Sequence, residues 1–228
     1  MMRKILPPTP MNLPRIGGFA AIGFAFTIAL GNMIMVPAGL PRTGSELADV
    51  TAFFGAKPDI VGIGSAVTPA AWVLATLFGA GAYSALSRSG RDDVRAWAVV
   101  GCAGLLLQNG LFAGVVATRL ALTTTGAPDD PGTAALWALH DTLFTLNGTF
   151  LALALLGLSA AGCRAGLIRP WHAALGLLAA ALLFTSATLT PLITQTPGPL
   201  GLLGLTGWLL WLLWTTLFGL TLIRPSST

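Results

Sequence analysis

Charged residues are scarce in this sequence. Only 9% of its 228 residues are Asp, Glu, Lys or Arg, whereas soluble domains carry roughly 25%. The mean hydropathy is correspondingly high, at +0.80. Such a chain lacks the polar side chains that a water-facing surface needs, so an ordinary soluble domain is excluded and a membrane domain is indicated.

Cysteine and histidine are also scarce, with two of each. Cys102 and Cys163 have no metal-site spacing, and we expect inert thiols that form no disulfide. The histidines, His140 and His172, are predicted toward opposite membrane faces, which excludes a haem held between them. The sequence also lacks a phosphate-binding loop, a dinucleotide fingerprint and a nucleophile elbow. We therefore expect no metal and no cofactor.

What the sequence does contain is a series of long apolar runs. The predicted spans are 16–38, 60–86, 97–121, 135–160, 170–193 and 200–223. Each run can cross the roughly 30 Å of bilayer hydrocarbon as an α-helix. The first run is longer than the roughly 7–15-residue core of a signal peptide, so we interpret it as a retained helix. The sequence predicts an all-α, polytopic membrane bundle of six helices, with residues 1–228 as a single transmembrane domain.

The positions of the basic residues predict that both termini lie in the cytoplasm. Only Arg42, Lys57 and Arg119 fall toward the outside, against nine Lys and Arg residues on the other side. This asymmetry follows the positive-inside rule, so the net charge of +4 reflects topology, and we expect no nucleic-acid partner. Ten arginines against two lysines, with abundant Ala, Gly and Leu, suit a GC-rich bacterial source. The expected location is the bacterial plasma membrane, as a multi-pass protein.

The first outer connection contains a further predicted helix. The tetrapeptide 43–46 (Thr-Gly-Ser-Glu) matches a capping box, in which a Thr oxygen and a Glu three residues later satisfy free amides at a helix start. The apolar residues that follow, Leu47, Val50, Phe53 and Phe54, fall near one face. A short amphipathic helix is therefore expected on the outer membrane surface. It is either a lid over the mouth of a cavity or a passive interfacial helix.

The fourth predicted span carries the most polar side chains. At 100° per residue, His140, Phe144 and Asn147 fall almost in line, and Trp137 and Asp141 lie on the adjoining flank. An ionisable residue inside a membrane is energetically expensive and is a functional candidate by default. We expect this mixed aromatic and polar side to face the bundle interior or a cavity.

Other predicted spans place polar or aromatic residues at a similar depth. Two of them are tryptophans in mid-membrane, away from the interfacial belt where Trp usually lies. From these residues we infer an aromatic-walled cavity in the outer half of the membrane, with Asp141 as its charge. The residues are Asn32 in the first span, Gln108 and Asn109 in the third, and Trp208 and Trp211 in the sixth.

Each of these residues also has a purely structural interpretation. The three amide residues are typical of the groups that hold membrane helices together by hydrogen bonds, and the tryptophans can be plain packing. Asp141 can form a buried ion pair with Arg119, which lies nearer the outer end of the third span. His172, beside Trp171, is interpreted as a boundary residue at the cytoplasmic interface.

Three short motifs carry a resemblance to known proteins. They are the segment 139–148 (Leu-His-Asp-Thr-Leu-Phe-Thr-Leu-Asn-Gly), the Phe53-Phe54 loop, and the Arg169-Pro170-Trp171 start of the fifth span. In these motifs the chain resembles small integral membrane proteins of actinobacteria. Some of those proteins resemble the membrane-bound terpene cyclases of indole-sesquiterpenoid pathways, which cyclise a prenyl chain after protonating an alkene. The resemblance implies a lyase or isomerase acting on a lipophilic, prenylated small molecule.

The residues are compatible with that chemistry. Protonating an alkene needs a protonated carboxylic acid, whose charged form burial disfavours, and aromatic faces attract cations. Under the resemblance Asp141 would be the acid, oriented by His140 or Asn147. The substrate would be bound by Trp137, Phe144, Trp208, Trp211, Asn32, Gln108 and Asn109.

Two functions of other classes remain open. In a small proton-coupled transporter, Asp141 would change its protonation during transport, as intramembrane carboxylates do in proton relays. In a non-catalytic, lipid-binding membrane subunit, the same residues would only bind membrane lipid. The sequence pattern leaves the oligomeric state unknown.

Overall fold

The protein is described here by a computed structural model covering residues 12–125, 131–195 and 198–224. Arg3 and Lys4, two of the nine basic residues on the predicted cytoplasmic side, lie outside the described residues. The regular elements within those ranges are α-helices. They are α1 Leu13–Met35, α2 Leu47–Ala56, α3 Pro58–Ala66, α4 Thr68–Ser87, α5 Asp92–Leu122, α6 Pro131–Arg164, α7 Pro170–Thr188, α8 Thr190–Ile193 and α9 Gly201–Ile223.

Six helical stretches are long and apolar enough to cross a membrane, which confirms the predicted all-α bundle. They are α1, α3 with α4, α5, α6, α7 and α9. The third and fourth spans extend beyond their predicted limits of 97–121 and 135–160, because the charged ends of α5 and α6 continue the helix past the apolar run. Asp92 and Asp93 in the first turn of α5 suit the positive end of the helix dipole.

Two spans are interrupted beside a proline. The second span breaks between Ala66 and Thr68, and Pro69 follows in the first turn of α4. The fifth breaks between Thr188 and Thr190, with Pro191 next in the chain. Proline has no N–H to donate within a helix, and its ring disfavours helical backbone in the preceding residue. Both breaks follow from that local chemistry.

The six spans form a closed ring in which each packs against its neighbours in sequence. The contacts run from α1 to α4, α5, α6, α7 and α9, and α9 returns to α1. The centre is filled by apolar side chains from all of these helices, so the ring encloses a packed core. Its largest fully buried members include Phe24, Phe78, Trp214 and Phe218.

Glycine allows the closest of these helix contacts, between α5 and α6. A Cβ atom on Gly157 would collide with the backbone of Gly101, and a Cβ atom on Gly104 would collide with the backbone of Ala154. Small residues give membrane helices this close approach. Arg119 comes fifteen residues after Gly104 on α5, and position 139 comes fifteen residues before Ala154 on α6. Because Gly104 contacts Ala154, Arg119 lies opposite position 139. The helix packing therefore sets the register of the polar residues.

This contact gives a first testable prediction. Gly104→Ala should destabilise the protein by about 1–3 kcal/mol, because the added methyl group meets backbone that cannot move aside. Gly110→Ala on the same helix is the matched control, since nothing lies within 4 Å of its Cβ position. Alanine favours the helix by up to about 1 kcal/mol over glycine. Thermal unfolding in detergent should therefore separate the two variants, and equal melting temperatures would contradict the packing.

The connection from α1 to α3 is folded against the bundle. Helix α2 in this connection packs on α3 and on the adjacent ends of α5 and α6. The predicted capping box at 43–46 is wrong: α2 begins at Leu47, and its N-cap Glu46 makes no side-chain capping bond. Thr43 and Gly44 instead form a turn in which Gly44 has φ +80°, a backbone conformation that glycine adopts without strain. We call the end of the bundle that carries α2 the loop side.

Candidate functional site

Three aromatic rings of α6 stack at the loop side. Trp137, His140 and Phe144 follow the helical spacing that puts side chains on one face. The His140 ring lies 4.8 Å from the Trp137 ring at an interplanar angle of 10°, and 6.0 Å from the Phe144 ring at 8°. The imidazole is thus held between two parallel faces, and its two nitrogens point out of the stack edge-on.

Each nitrogen of His140 meets a charged side chain. Arg119 of α5 donates a hydrogen bond of 3.0 Å from its Nε to His140 Nε2. On the other edge, His140 Nδ1 lies 3.1 Å from Asp141 Oδ1. The three side chains are 3–6% exposed. We call this buried chain of Arg119, His140 and Asp141 the polar triad.

The bonding of the polar triad fixes the position of the imidazole proton. An arginine Nε can only donate, so His140 Nε2 must accept. The ring proton of the neutral imidazole is then on Nδ1 and is donated to Asp141. A proton added to His140 would bind Nε2, and the new Nε2–H would then point at the Nε–H of Arg119. Protonation of His140 therefore breaks its bond with Arg119.

The second oxygen of Asp141 holds the connection that carries α2. The backbone N–H of Gly44 donates a hydrogen bond of 2.7 Å to Asp141 Oδ2. Both carboxyl oxygens of Asp141 accordingly accept a hydrogen bond. Bonds to an ionised acceptor are roughly twice as strong as neutral ones. The charge on Asp141 thus contributes directly to holding the loop against the bundle.

Arg119 and Asp141 compensate each other's charge through His140 instead of by direct contact. A charged side chain inside a membrane costs several kcal/mol unless it is paired. Here the guanidinium also lies over the Phe144 ring, with 5.8 Å from Cζ to the ring centroid. The direct ion pair considered from the sequence is replaced by a bridged one. The bridge makes His140 the group on which the pairing depends.

Helix α2 covers the polar triad with a small apolar cluster of its own. The cluster comprises Val50, Phe53, Phe54, Val61, Leu122 and Trp137, which are all buried. Phe54 lies 6.3 Å from the Trp137 ring, which also stacks on His140. The loop is therefore attached twice, by the Gly44 amide on Asp141 and by the aromatic side chains of α2.

The attachment through the aromatic side chains of α2 can be weakened without changing the Gly44–Asp141 bond. Phe54→Ser should free α2 from the bundle, since it removes most of the apolar contact with Trp137 while leaving the separate central core intact. We expect faster proteolysis of the connection 36–57 but little change in the unfolding of the six spans. Ala52→Ser is the control, because Ala52 is an exposed residue on the same helix. Unchanged proteolysis in Phe54→Ser would show that the cluster does not hold the loop.

The remaining candidates of the polar-cavity prediction are distributed around this site. Asn147 and Gln108 are buried on α6 and α5, and Asn147 Oδ1 and Gln108 Oε1 accept no hydrogen bond. Asn32 donates to the Ile28 carbonyl of its own helix at 2.9 Å. Asn109 bonds the Trp72 carbonyl of α4 at 3.1 Å. The structure thus joins His140, Asp141, Trp137 and Phe144, while the amide residues lie outside the polar triad.

The tryptophans of the sixth span belong to the central core. Trp211 packs edge-on against Phe24 at 5.3 Å, and Trp208 lies 6.4 Å from Trp211. Trp137 and Phe144, by contrast, flank His140, and Phe144 is 44% exposed at the bundle surface. The aromatic residues predicted as one cavity wall therefore form two separate groups.

His172 and Gly44 have contacts that the sequence did not indicate. His172, predicted as a boundary residue, is buried, and its Nε2 lies 3.1 Å from the Trp214 carbonyl. Gly44 was not predicted as a site residue, because a backbone amide leaves no side-chain signal in the sequence. The only indication that the sequence could have given is a glycine with charged or polar neighbours at a turn.

Comparisons with protein-family models, with curated proteins and with solved structures found no match for this chain. Among the described residues, no group of three or more His, Cys, Asp or Glu side chains is placed to hold a metal ion. The site is thus a buried Arg–His–Asp chain that is hydrogen-bonded to the connection between α1 and α3.

Proposed function

We propose that the protein is a small proton-coupled membrane transporter in which the polar triad takes up the proton and the connection 36–57 is the gate. The observation that carries the proposal is the 2.7 Å hydrogen bond from Gly44 to Asp141. It joins a buried intramembrane carboxylate, a group typical of proton relays, to the segment that covers one face of the bundle.

The coupling has a definite direction. With Asp141 ionised, the Gly44 bond is charge-assisted and holds the gate closed. Protonation of Asp141 weakens this bond, and protonation of His140 opposes the Arg119 donor. Both events favour the open gate, so acid opens it. The acidic side chains of the connection itself, Glu46 and Asp49, are exposed.

Transport can be tested by electrical recording from proteoliposomes. Under an imposed pH gradient, a panel of small neutral and lipophilic solutes should include one that evokes a current whose sign follows the gradient. That current should disappear in Asp141→Asn and persist in the control Asp49→Asn. Solute uptake that ignores the pH gradient, or that survives in Asp141→Asn, would exclude proton coupling through Asp141.

A terpene cyclase of the type that the sequence resembles is the second candidate. It is favoured by the Trp137 and Phe144 rings, which flank His140 as cation-stabilising faces would. The carboxyl would protonate an alkene, a carbon–carbon bond would form, and loss of a proton would return the acid and leave an isomer of the substrate. To act in this way Asp141 would first have to be protonated, as it would also be during proton-coupled transport.

The two candidates predict different products. Incubation with a prenylated aromatic substrate, or with its epoxide, should leave the compound unchanged if the protein is a transporter. A cyclic isomer of the same mass, formed by the native protein and absent with Asp141→Asn, would replace the transporter proposal with the cyclase.

A further inference from the structure

The end of the bundle opposite the loop side carries most of the exposed arginines of the described chain. One group of them, on α5 and α6, is paired with carboxylates. Arg91 lies 2.9 Å and Arg164 3.8 Å from Asp93, and Arg95 lies 2.5 Å from Asp92. The part of this end that α5 and α6 form therefore holds its charges in ion pairs.

A second group of arginines, on α4, α1 and α9, has no acidic partner. Arg15 lies in the first turn of α1, and Arg88 and Arg224 follow the last residues of α4 and α9. All three are exposed, and no carboxylate within the described ranges forms an ion pair with them. We call Arg15, Arg88 and Arg224 the unpaired arginines.

Close packing of α1 on α4 brings a tyrosine to the level of Arg15. A Cβ atom on Gly17 of α1 would lie only 2.6 Å from the Gly81 Cα atom of α4. Arg15 comes two residues before Gly17, and Tyr83 comes two residues after Gly81 on the antiparallel helix. Both side chains are exposed. A guanidinium and a phenol, both hydrogen-bond donors, are therefore at the same height on neighbouring helices.

Helix α9 adds Arg224 to the same end through a second close contact with α1. A Cβ atom on Gly18 would lie 2.6 Å from the carbonyl oxygen of Gly219. Arg15 comes three residues before Gly18, and Arg224 comes five residues after Gly219 on the antiparallel helix. Both arginines thus lie beyond the glycine contact, toward the same end of the bundle, where long basic side chains extend to the polar interface of a membrane.

The outer faces of α1 and α9 are apolar next to these arginines. On each helix, exposed apolar side chains lie four and eleven residues from the arginine, toward the middle of the span, and this spacing keeps them on one helix face. They are Phe19 and Phe26 on α1 and Leu220 and Leu213 on α9. Each helix therefore has an apolar outer face that ends in an arginine.

A phospholipid combines the two features that this surface matches. Its phosphate accepts hydrogen bonds from guanidinium groups, and its acyl chains fit an apolar helix face. A zwitterionic head group would bring a cation of its own to the unpaired arginines, whereas an anionic head group has a net charge that balances theirs. The predicted orientation places this end in the cytoplasmic leaflet, whose surface carries anionic lipids.

We propose that the α4–α1–α9 face binds an anionic phospholipid. The phosphate lies between Arg15 and Tyr83, Arg88 and Arg224 balance the remaining charge, and the acyl chains lie along the apolar outer faces of α1 and α9. The proposal is independent of the transporter function, because the polar triad lies at the loop side, between α5 and α6.

Native mass spectrometry tests the site in the full-length protein. The protein is stripped of lipid in detergent and titrated with phosphatidylglycerol, or with phosphatidylcholine that has the same acyl chains. The first phosphatidylglycerol should bind at least about fivefold more tightly, the effect of one arginine near an anionic surface. Inorganic phosphate at constant ionic strength should not displace it, because the acyl chains contribute to binding. Equal binding of phosphatidylcholine, or displacement by inorganic phosphate, would overturn the proposal.

Matched variants distinguish a site from a general attraction between a basic protein and anionic lipid. Arg15→Gln and Arg224→Gln should each weaken the first binding step by about fivefold, and Tyr83→Phe by about two- to tenfold, the value of one hydrogen bond. Arg42→Gln removes an exposed arginine at the loop side and should leave the affinity unchanged. Native melting temperatures without lipid verify that the variants are folded. Equal weakening in Arg42→Gln, or native affinity in both Arg15→Gln and Arg224→Gln, would contradict a site at this face.

Discussion

Asp141→Asn is expected to destabilise the protein by about 3–5 kcal/mol, the cost of leaving a buried charge without its partner. The uncompensated charge is that of Arg119, which is 6% exposed. The amide also cannot replace the carboxylate geometrically. If its oxygen accepts from His140, its NH₂ group faces the Gly44 N–H, and the reverse orientation opposes the His140 N–H. Chemical unfolding in detergent measures the loss.

Removing the opposite charge should restore part of this stability. The double variant Asp141→Asn with Arg119→Gln has neither buried charge, so its cost should be smaller than the sum of the two single costs by about 0.5–3 kcal/mol. Asp49→Asn, an exposed carboxylate in the same connection, should stay within about 0.5 kcal/mol of the native protein. Strict additivity of Asp141→Asn and Arg119→Gln would show that the two charges are not coupled.

His140→Phe is expected to cost nearly as much, about 3–5 kcal/mol, although it exchanges one ring for another. The phenyl ring keeps the stack with Trp137 and Phe144 but removes both nitrogens. Arg119 Nε and Asp141 Oδ1 then lose their shared partner within the bundle. The variant separates the hydrogen-bonded bridge from the aromatic packing, and its unfolding free energy is the quantity to measure.

Phe144→Leu is the matched control for His140→Phe. It removes a stacked ring but leaves the Arg119–His140–Asp141 bonds intact, so only the aromatic contribution of about 0.5–1.5 kcal/mol should be lost. If His140→Phe costs no more than Phe144→Leu, the imidazole does not bridge the two charges, and the polar triad is a packing feature only.

The six spans could be predicted because a membrane helix is recognisable from its composition. Runs of about 20 apolar residues, with proline, glycine and charge between them, are sufficient. The ends of the helices were less predictable, since α5 starts at Asp92 although its apolar run begins near Trp97. The closure of α9 onto α1 was not predictable, since it depends on contacts such as Gly18 against Gly219 that join distant parts of the chain.

The site was predictable only in part, for a comparable reason. His140 and Asp141 are conspicuous in an apolar span, and Trp137 and Phe144 share their helix at a readable spacing. The role of Gly44 could not be predicted, because its backbone amide bonds Asp141, which is 97 residues away in the chain. The bridging role of His140 was also not apparent, because neighbouring positions on a helix usually point in different directions.

The most direct test of the account is the mobility of a spin label on the gate as the pH is lowered. Ser45→Cys places the label next to Gly44, after Cys102 and Cys163, the free thiols of the described chain, are replaced by Ala. In nanodiscs the native background should show a slow, ordered spectrum near neutral pH that becomes mobile on acidification. The Asp141→Asn background should be mobile throughout. A label that stays equally ordered at every pH in both backgrounds would contradict gating by the polar triad.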